Sequence, residues 1–123
     1  AKERKIYNEL IYSDILDYLN NSDLDFDLFV CADVFVYIGE ISEIFQLINK
    51  KNKRDFKFVF STEHSNGSGF SLQKTGRYAH SKQYIENLAD ELNSEISHFS
   101  TFKLRKHKNS SIVGGLYILD FSF

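Results

Sequence analysis

The hydrophobic positions of the chain follow two alternating periods, one typical of strands and one typical of helices. Leu28 to Ala32 is an uninterrupted apolar run, which predicts a buried parallel strand. From Ile41 to Ile48 apolar residues recur at the spacing i, i+3, i+4, i+7, which predicts an amphipathic helix. Phe56 to Ser61 predicts a second strand, and Thr62 to His80 predicts a long loop that contains three glycines.

A further helix and two closing strands are predicted toward the C-terminus. Lys82 to Leu92 carries an apolar stripe of helical spacing, and Ser81 is a favourable N-cap residue for it. Strands are predicted over 96–104 and 116–121, with the polar segment RKHKNSSIVGG between them as a flexible, hairpin-like loop. This order of elements predicts an α/β fold that ends in an antiparallel pair of strands.

The first part of the chain has weaker helical signals. Residues 2–10 show helix-like spacing of apolar positions. Ser13 and Asp14 are residue types that cap helices, and they precede a short predicted turn over 15–19. The polar segment NNSDLD that follows predicts a loop before the first strand.

The composition indicates one globular domain of ordinary character. The 123 residues are 42% hydrophobic and carry a net charge of −2, so nothing favours nucleic acid or a membrane as partner. No apolar stretch approaches the roughly 20 residues that span a bilayer. Cys31 is the single cysteine, which excludes an internal disulfide and favours a reducing, cytoplasmic location. Among apolar neighbours, its thiol is expected to be buried and inert.

Polar residues follow the two predicted parallel strands, where ligands of open α/β sheets bind. Asp33 comes directly after the first strand, and it is expected either to face this crevice or to cap the turn ahead of the next helix. Glu63 and His64 come after the second strand, and they are expected either to form an acid–base unit or to be solvated loop residues.

The segment GRYAHS places three recognition groups directly before a predicted helix. Arg77 offers a planar fork, Tyr78 a hydroxyl and His80 a switchable proton. The alternatives are a surface salt bridge for Arg77 and a packed ring for Tyr78. A metal site from Glu63, His64 and His80 lacks the usual ligand spacing, so no metal is expected.

The glycine-containing segment HSNGSGF does not have the features of a phosphate-binding loop. It lacks the G-x-G-x-x-G spacing, has no P-loop lysine and does not lead straight into a helix. A flexible lid over 65–69 is therefore predicted in its place. The basic run KLRKHK lacks accompanying aromatic residues on which bases would stack, and it predicts a solvated hairpin.

Four segments of the chain together resemble a known enzyme family. They are IYNELIYSDILDYL, FDLFVCADVFVYIGEI, FVFSTEH and GFSLQKTGRYAHSKQYIENLADEL. They are similar to the second half of class I S-adenosylmethionine-dependent methyltransferases, most closely the bacterial type that often accompanies tetratricopeptide repeats. The resemblance implies the C-terminal half of a Rossmann-like methyltransferase sheet, with two parallel strands plus a closing antiparallel pair, flanked by helices.

The resemblance also implies what the chain lacks. The family's Gly-rich loop, first strand and ribose-binding acid would precede residue 1, so residues 1–123 are expected to be a single partial domain without the Gly-rich cofactor-binding half. The strand at 28–32 would then have a bare edge, and bare strand edges tend to pair. That edge is expected to receive either the missing N-terminal half or a second copy of the chain.

Site residues follow from the same resemblance. The residues implied to bind S-adenosylmethionine are Asp14, which would contact the adenine amino group, and Ala32, Asp33 and Val34, which would run along the cofactor. The residues implied to lie at the substrate mouth and substrate side are Phe35, Tyr37, Glu63, His64, Arg77, Tyr78 and His80.

The implied function is methyl transfer from S-adenosylmethionine to an unknown acceptor. A half-pocket positions a cofactor poorly and excludes little water, so the isolated chain is expected to be incomplete or inactive. The alternative is a non-catalytic binding or assembly module that dimerises through the exposed strand edge.

Overall fold

The structure, a computed structural model, describes residues 12–32, 34–107 and 110–122. Asp33 and the helix predicted over 2–10 lie outside the described residues. Residues 12–20 are helical and form α1. Ser13 and Asp14 therefore lie within a helix, and the prediction that they cap a short turn is wrong.

The described elements alternate between strands and helices, as the sequence predicts. After α1 they are β1 (Leu28–Cys31), a 3₁₀ turn (Phe35–Tyr37), α2 (Ser42–Lys51), β2 (Phe56–Ser65), β3 (Phe70–Leu72), β4 (Tyr78–Ser81), α3 (Lys82–Glu91), β5 (Glu95–His107) and β6 (Ser110–Phe121). The predicted α/β class is confirmed, with parallel and antiparallel strands in one sheet flanked by helices. None of the described helices is long and apolar enough to cross a membrane.

Strand β2 is the centre of the sheet. One of its edges pairs antiparallel with β6, from Phe56 to Glu63, and β6 pairs antiparallel with β5. The other edge is shared by two parallel strands. Strand β1 pairs with the first half of β2, at residues 57–60, and β4 pairs with the last part, at residues 63–65. The short strand β3 is antiparallel to β4 and lies beyond it.

Two of the loops predicted from sequence are mostly strand. The segment 62–80 contains the end of β2 together with β3 and β4, and the segment 105–115 belongs largely to the hairpin of β5 and β6. Both segments are polar or glycine-containing, so their apolar periodicity is weak. Pairing with distant strands satisfies their backbone groups and determines their structure instead.

The helices predicted over 41–48 and 82–92 are both confirmed, as α2 and α3, and their buried faces match the periodicity. Helix α2 buries Ile44, Phe45 and Ile48 and has two lysines in its last turn, where the helix dipole favours cations. Helix α3 begins after Ser81, whose hydroxyl oxygen accepts a 3.1 Å hydrogen bond from the backbone N–H of Tyr84. This bond is the N-cap that the sequence predicts.

One face of the sheet carries the core. Phe56, Phe58 and Phe60 alternate along β2 and are all buried, and the ring of Phe58 stacks on Phe45 of α2 with centroids 4.8 Å apart. Buried residues from the three helices join the same cluster; they are Leu19, Ile44, Ile48, Ile85, Leu88 and Ala89. Aromatic rings thus fill the space between the helices and one side of the sheet.

The opposite face of β1 is open. Val30, Val59 and Ile118 are aligned in register across three strands, yet the side chain of Val30 is 66% exposed and that of Leu28 is 53% exposed. The prediction that β1 is a buried strand is therefore wrong. The buried residues of all the described helices pack on the side of Phe58, so nothing described covers the side of Val30.

Candidate functional site

The 3₁₀ turn after β1 directs its first residue into the core. Backbone bonds from Tyr37 N to Val34 O and from Ile38 N to Phe35 O close the turn. The ring of Phe35 is fully buried and packs against Phe60, with centroids 5.5 Å apart. Phe35 was expected near the cofactor's rim and the substrate mouth; the tight turn inserts its ring between sheet and helix, where it lines the apolar cavity described below. Tyr37, in the same turn, is half-buried.

Side chains of β4 and α3 hold the loop between this turn and α2. The Nε2–H of His80 donates a 2.8 Å hydrogen bond to the carbonyl oxygen of Gly39. The hydroxyl of Tyr84 accepts a 3.1 Å bond from the backbone N–H of Ile41 and donates to the carboxylate of Glu40. We call this set of three hydrogen bonds the loop latch, and it fixes the chain directly after the 3₁₀ turn.

His80 is an interior residue. Its side chain is fully buried, and it does not line either of the cavities described below. Burial lowers the pKa of His80, while hydrogen bonds to the backbone of Gly39 and Ile38 and the charge of Glu40 oppose the shift. A carbonyl can only accept, so Nε2 carries the proton. The expectation that His80 is an accessible recognition group is wrong, since β4 directs its ring toward the loop latch.

The ring of Phe70 in β3 packs against His80 and Tyr84 of the loop latch. Its ring lies 6.1 Å from the rings of Tyr78 and His80, centroid to centroid. A Cβ atom placed on Gly39 would be 2.6 Å from the Phe70 ring and 2.9 Å from that of Tyr78. The structure thus agrees with the alternative that the ring of Tyr78 is packed. The two rings leave no space for a side chain at position 39, which explains the glycine there.

Glu63 and Arg77 meet beside Tyr37. Glu63 lies within β2 and not in a loop after it, and its side chain is only 4% exposed. The Nε atom of Arg77 is 4.0 Å from the Glu63 carboxylate, and its guanidinium carbon is 5.5 Å from the centre of the Tyr37 ring. The alternative that both Glu63 and His64 are solvated loop residues is therefore wrong, because β2 continues to Ser65.

A polar cavity of about 660 Å³ lies at the end of β2. Its lining comprises Glu63, His64, Asn66, Gln73, Lys74, Thr75, Ala79, Thr101, Ile112 and Val113. The imidazole of His64 packs against Phe99, with ring centroids 5.6 Å apart, and its Nδ1 is buried without a hydrogen-bond partner. The lining of this cavity thus includes a buried glutamate and a histidine from successive positions of β2.

An apolar cavity of about 360 Å³ lies between α1 and β1. It is lined by Asp14, Ile15, Tyr18, Leu19, Phe29, Val30, Cys31, Val34, Phe35, Ile44, Ile48 and Phe58. Two of the implied cofactor residues, Asp14 and Val34, therefore share a cavity, whereas Ala32 is exposed and is not part of its lining. Burial raises the pKa of Cys31 to about 11, so this thiol stays protonated at neutral pH.

Metal ligands are not clustered in the part of the chain that the structure describes. Within 12–32, 34–107 and 110–122, no group of three His, Cys, Asp or Glu side chains could hold an ion. Glu63, His64 and His80 in particular do not form such a group, since His80 is directed toward Gly39.

The sequence did not single out three residues that build the site: Gly39, Phe70 and Tyr84. A signal was available for one of them, because a lone glycine inside an apolar segment indicates close approach of another group. Tyr84 and Phe70 carried no such signal, since their partners are at least thirty residues away along the chain or on another strand.

Comparison with known proteins defines the fold. No protein-family profile and no curated protein sequence matches the chain. Its structure is similar to that of a SAM-dependent methyltransferase from Methanosarcina mazei, with a TM-score of 0.61 and 14% identity over 85% of this chain and 65% of that one. It is also similar to the N-methyltransferase NodS from Bradyrhizobium japonicum, solved with S-adenosyl-L-homocysteine, with a TM-score of 0.57 and 15% identity over 85% of this chain and 50% of NodS.

A SAM-dependent methyltransferase from Leishmania major shows the same likeness, with a TM-score of 0.58 and 14% identity over 82% of this chain and 42% of that one. The chain thus has the Rossmann-like α/β fold of SAM-dependent methyltransferases. It spans between 42% and 65% of the lengths of these three proteins.

Proposed function

We propose that the chain takes part in methyl transfer from S-adenosylmethionine and forms the C-terminal half of a methyltransferase domain, of the type that accompanies tetratricopeptide repeats. The observation that carries this proposal is the position of the two cavities. Val34 of the apolar cavity lies three residues beyond the end of β1, and Glu63 of the polar cavity lies near the end of β2. These strands are parallel neighbours, and ligands of such sheets bind at their carboxyl ends.

The apolar cavity fits the adenine end of the cofactor. Its lining is apolar except for three groups: the Asp14 carboxylate, the Cys31 thiol and the Tyr18 hydroxyl. Such a lining suits a flat adenine base whose amino group donates a hydrogen bond to the Asp14 carboxylate. When bound, S-adenosylmethionine supplies an electrophilic methyl group on its sulfonium. The residues of this chain bind the base and exclude water from it, and they supply one wall of the polar cavity for the acceptor.

The ribose and methionine ends of the cofactor need further groups. Asp14 is the one charged residue in the described lining of the apolar cavity, and it is assigned to the base. We therefore assign the ribose-binding acid and the Gly-rich loop to a complementary half that docks on β1. This strand pairs only with β2 among the described residues, and its exposed Val30 and Leu28 offer an apolar surface beside the edge.

Binding of cofactor fragments tests the proposal. Adenosine and homocysteine are added separately to the isotope-labelled chain, and the shifts of its NMR resonances are mapped. We expect adenosine to shift residues that line the apolar cavity, Val34 and Cys31 among them, and homocysteine to shift none. Asp14→Asn should weaken adenosine binding about tenfold through loss of a charge-assisted hydrogen bond, whereas Asp17→Asn, on the same helix, should not. Shifts located elsewhere, or none, would exclude this site for the base.

A second candidate function is assembly through the same edge. Four residues of β1 have a strand partner on one side in the described part of the chain, and an unpaired edge can bind another copy. Sedimentation velocity over a hundredfold concentration range distinguishes the two proposals. A dimer whose β1 amides become protected from hydrogen exchange supports assembly. A monomer at the highest concentration contradicts it and leaves the edge for the complementary half.

A further inference from the structure

The turn between β2 and β3 contains a reactive pair of residues that the proposed function does not use. Asn66 is followed directly by Gly67, and this is the one Asn-Gly pair in the 123 residues. An asparagine side chain loses its amide group when the backbone nitrogen of the next residue attacks it. Because glycine has no Cβ, it leaves this nitrogen least obstructed and gives the backbone the most freedom. The sequence therefore favours this reaction at Asn66 over every other asparagine.

Both members of the pair are exposed in the structure. A Cβ atom placed on Gly67 would have one described atom beyond its chain neighbours within 4 Å, Ser65 Oγ at 3.6 Å. The N–H of Gly67 donates a 3.2 Å hydrogen bond to the same oxygen, and water readily replaces such an exposed bond. The side-chain amide of Asn66 has no hydrogen bond to the residues that the structure describes. The attacking nitrogen and the attacked carbon are therefore both accessible.

Two other asparagines show the opposite arrangement. The amide nitrogen of Asn52 donates hydrogen bonds to two backbone carbonyls, and the next backbone N–H, of Lys53, donates a 3.1 Å bond to a third. After Asn93, the backbone N–H of Ser94 donates a 2.9 Å bond to the carbonyl oxygen of Ala89. Attack at either position first requires these bonds to break. The fold thus protects both of them and leaves Asn66 unprotected.

We propose that Asn66 is a site of spontaneous deamidation. A solvent base takes the proton of the Gly67 nitrogen, whose lone pair forms a bond to Asn66 Cγ. The side-chain nitrogen leaves with the electron pair of the breaking C–N bond, takes a proton from water and departs as ammonia. Water then opens the resulting succinimide. Opening at Cγ gives aspartate, and opening at the backbone carbonyl carbon gives isoaspartate, whose main chain runs through the former side chain.

The product changes the charge of the polar cavity. Asn66 belongs to its lining, in which Glu63 and Lys74 carry opposite charges. A carboxylate at position 66 makes the described lining net negative, which favours cations and repels anions. The modification therefore acts on the electrostatics of this cavity, and it does so whether or not the chain takes part in methyl transfer.

Peptide mapping of the folded chain tests the proposal. The chain is incubated in mildly alkaline buffer and digested with trypsin at intervals. Residues 58–74 form a tryptic peptide whose single asparagine is Asn66, and residues 83–103 form one that contains Asn87 and Asn93. We expect peptide 58–74 to gain about 1 Da and to separate into two products, with fragmentation placing the change at Asn66. Peptide 83–103 should stay unchanged. An equal gain in both peptides would overturn the selectivity.

A synthetic 58–74 peptide gives the rate of the reaction without the fold. The folded chain should react within about tenfold of that rate, because an exposed turn fluctuates freely. A slower reaction than this would show that the fold protects Asn66, and it would overturn the proposal.

Variants of the same turn identify the attacking group. Gly67→Ala adds a Cβ beside the nitrogen and should slow the conversion at least about tenfold, whereas Ser68→Ala, also exposed, should leave the rate unchanged. Asn66→Asp should elute from an anion-exchange column with the more acidic species that forms in the wild-type chain. Equal rates in the wild-type chain and in folded Gly67→Ala would overturn attack by the Gly67 nitrogen.

Discussion

The imidazole of His80 and the backbone carbonyl of Gly39 are joined by a hydrogen bond of 2.8 Å between two elements that are distant along the chain. The bond attaches β4 to the loop that follows the 3₁₀ turn. Because the carbonyl only accepts, the bond requires a proton on Nε2. The neutral tautomer supplies it, and a charged imidazole would be buried with little solvation.

Stability should fall as the pH decreases below the ordinary pKa of histidine. The folded-state pKa of His80 is lowered from 6.5, so the unfolded chain binds more protons in the window below that value. The contribution of His80 to the free energy of unfolding is complete above about pH 6.5 and is lost progressively below it. The free energy of unfolding then falls by at most about 1.4 kcal/mol per pH unit. Urea unfolding between about pH 7.5 and pH 5.0 measures this slope.

Two histidine variants control the pH prediction. His80→Gln can still donate to the Gly39 carbonyl and should flatten the slope, whereas His98→Gln, at an exposed position, should keep it. Asp25 and Glu40 have lowered pKa values, and their contributions are lost only at more acidic pH. An unchanged slope in His80→Gln would contradict the assignment of the effect to His80.

Gly39→Ala should destabilise the fold by about 1–3 kcal/mol, as overpacking does in other proteins. The added methyl group would lie 2.6 Å from the Phe70 ring, and the loop latch leaves the backbone little room to move. The free energy of unfolding in urea measures the cost. Gly67→Ala, whose nearest neighbour would be Ser65 Oγ at 3.6 Å, should cost much less. Phe70→Ala should relieve the effect of Gly39→Ala in the double variant.

Tyr84→Phe should cost about 1–2 kcal/mol, because it leaves the backbone N–H of Ile41 without its acceptor. Burial and the neighbouring Glu40 carboxylate raise the pKa of Tyr84, so its hydroxyl remains available as a donor over the working pH range. Thermal or urea unfolding gives the cost. Tyr18→Phe, at a ring that is 60% exposed, should change stability by less than about 0.5 kcal/mol.

The two faces of the sheet should respond very differently to truncation. Phe58→Ala removes a fully enclosed ring and should cost about 3–5 kcal/mol. Val30→Ala, on the open face, should cost less than about 1 kcal/mol because most of its side chain is already in water. Equal costs measured by urea unfolding would show that the face of Val30 is covered in solution.

The elements that the sequence predicted well are those with local causes. The stripe of Ile44, Phe45 and Ile48 forms a helix because neighbouring turns bring these residues to one face. Ser81 caps α3 through a bond to a residue three positions away. Such patterns can be recognised without knowledge of any distant partner.

The elements that the sequence missed depend on distant pairing. Strand β4 is polar and short, and it forms because residues 79–81 align with residues 63–65 of β2. Pairing with β6 at Thr62 and Glu63 and with β4 at residues 63–65 extends β2 beyond Ser61, so Glu63 and His64 lie in the sheet and not in the predicted loop. The family resemblance placed Phe35 near the cofactor's rim and the substrate mouth, whereas the 3₁₀ turn that contains it buries its ring.

The division of one edge of β2 between two strands has a consequence for how the molecule opens. The edge toward β6 is paired from Phe56 to Glu63, whereas β4 holds only residues 63–65 and is flanked by the three-residue β3. Amides of the β2–β6 ladder should therefore exchange with solvent most slowly, and those of β3 and β4 should exchange through small, frequent fluctuations. Ala79 of β4, together with residues 73–75 in the turn before it, forms one side of the polar cavity, so a ligand bound there should slow exchange at this side of the cavity.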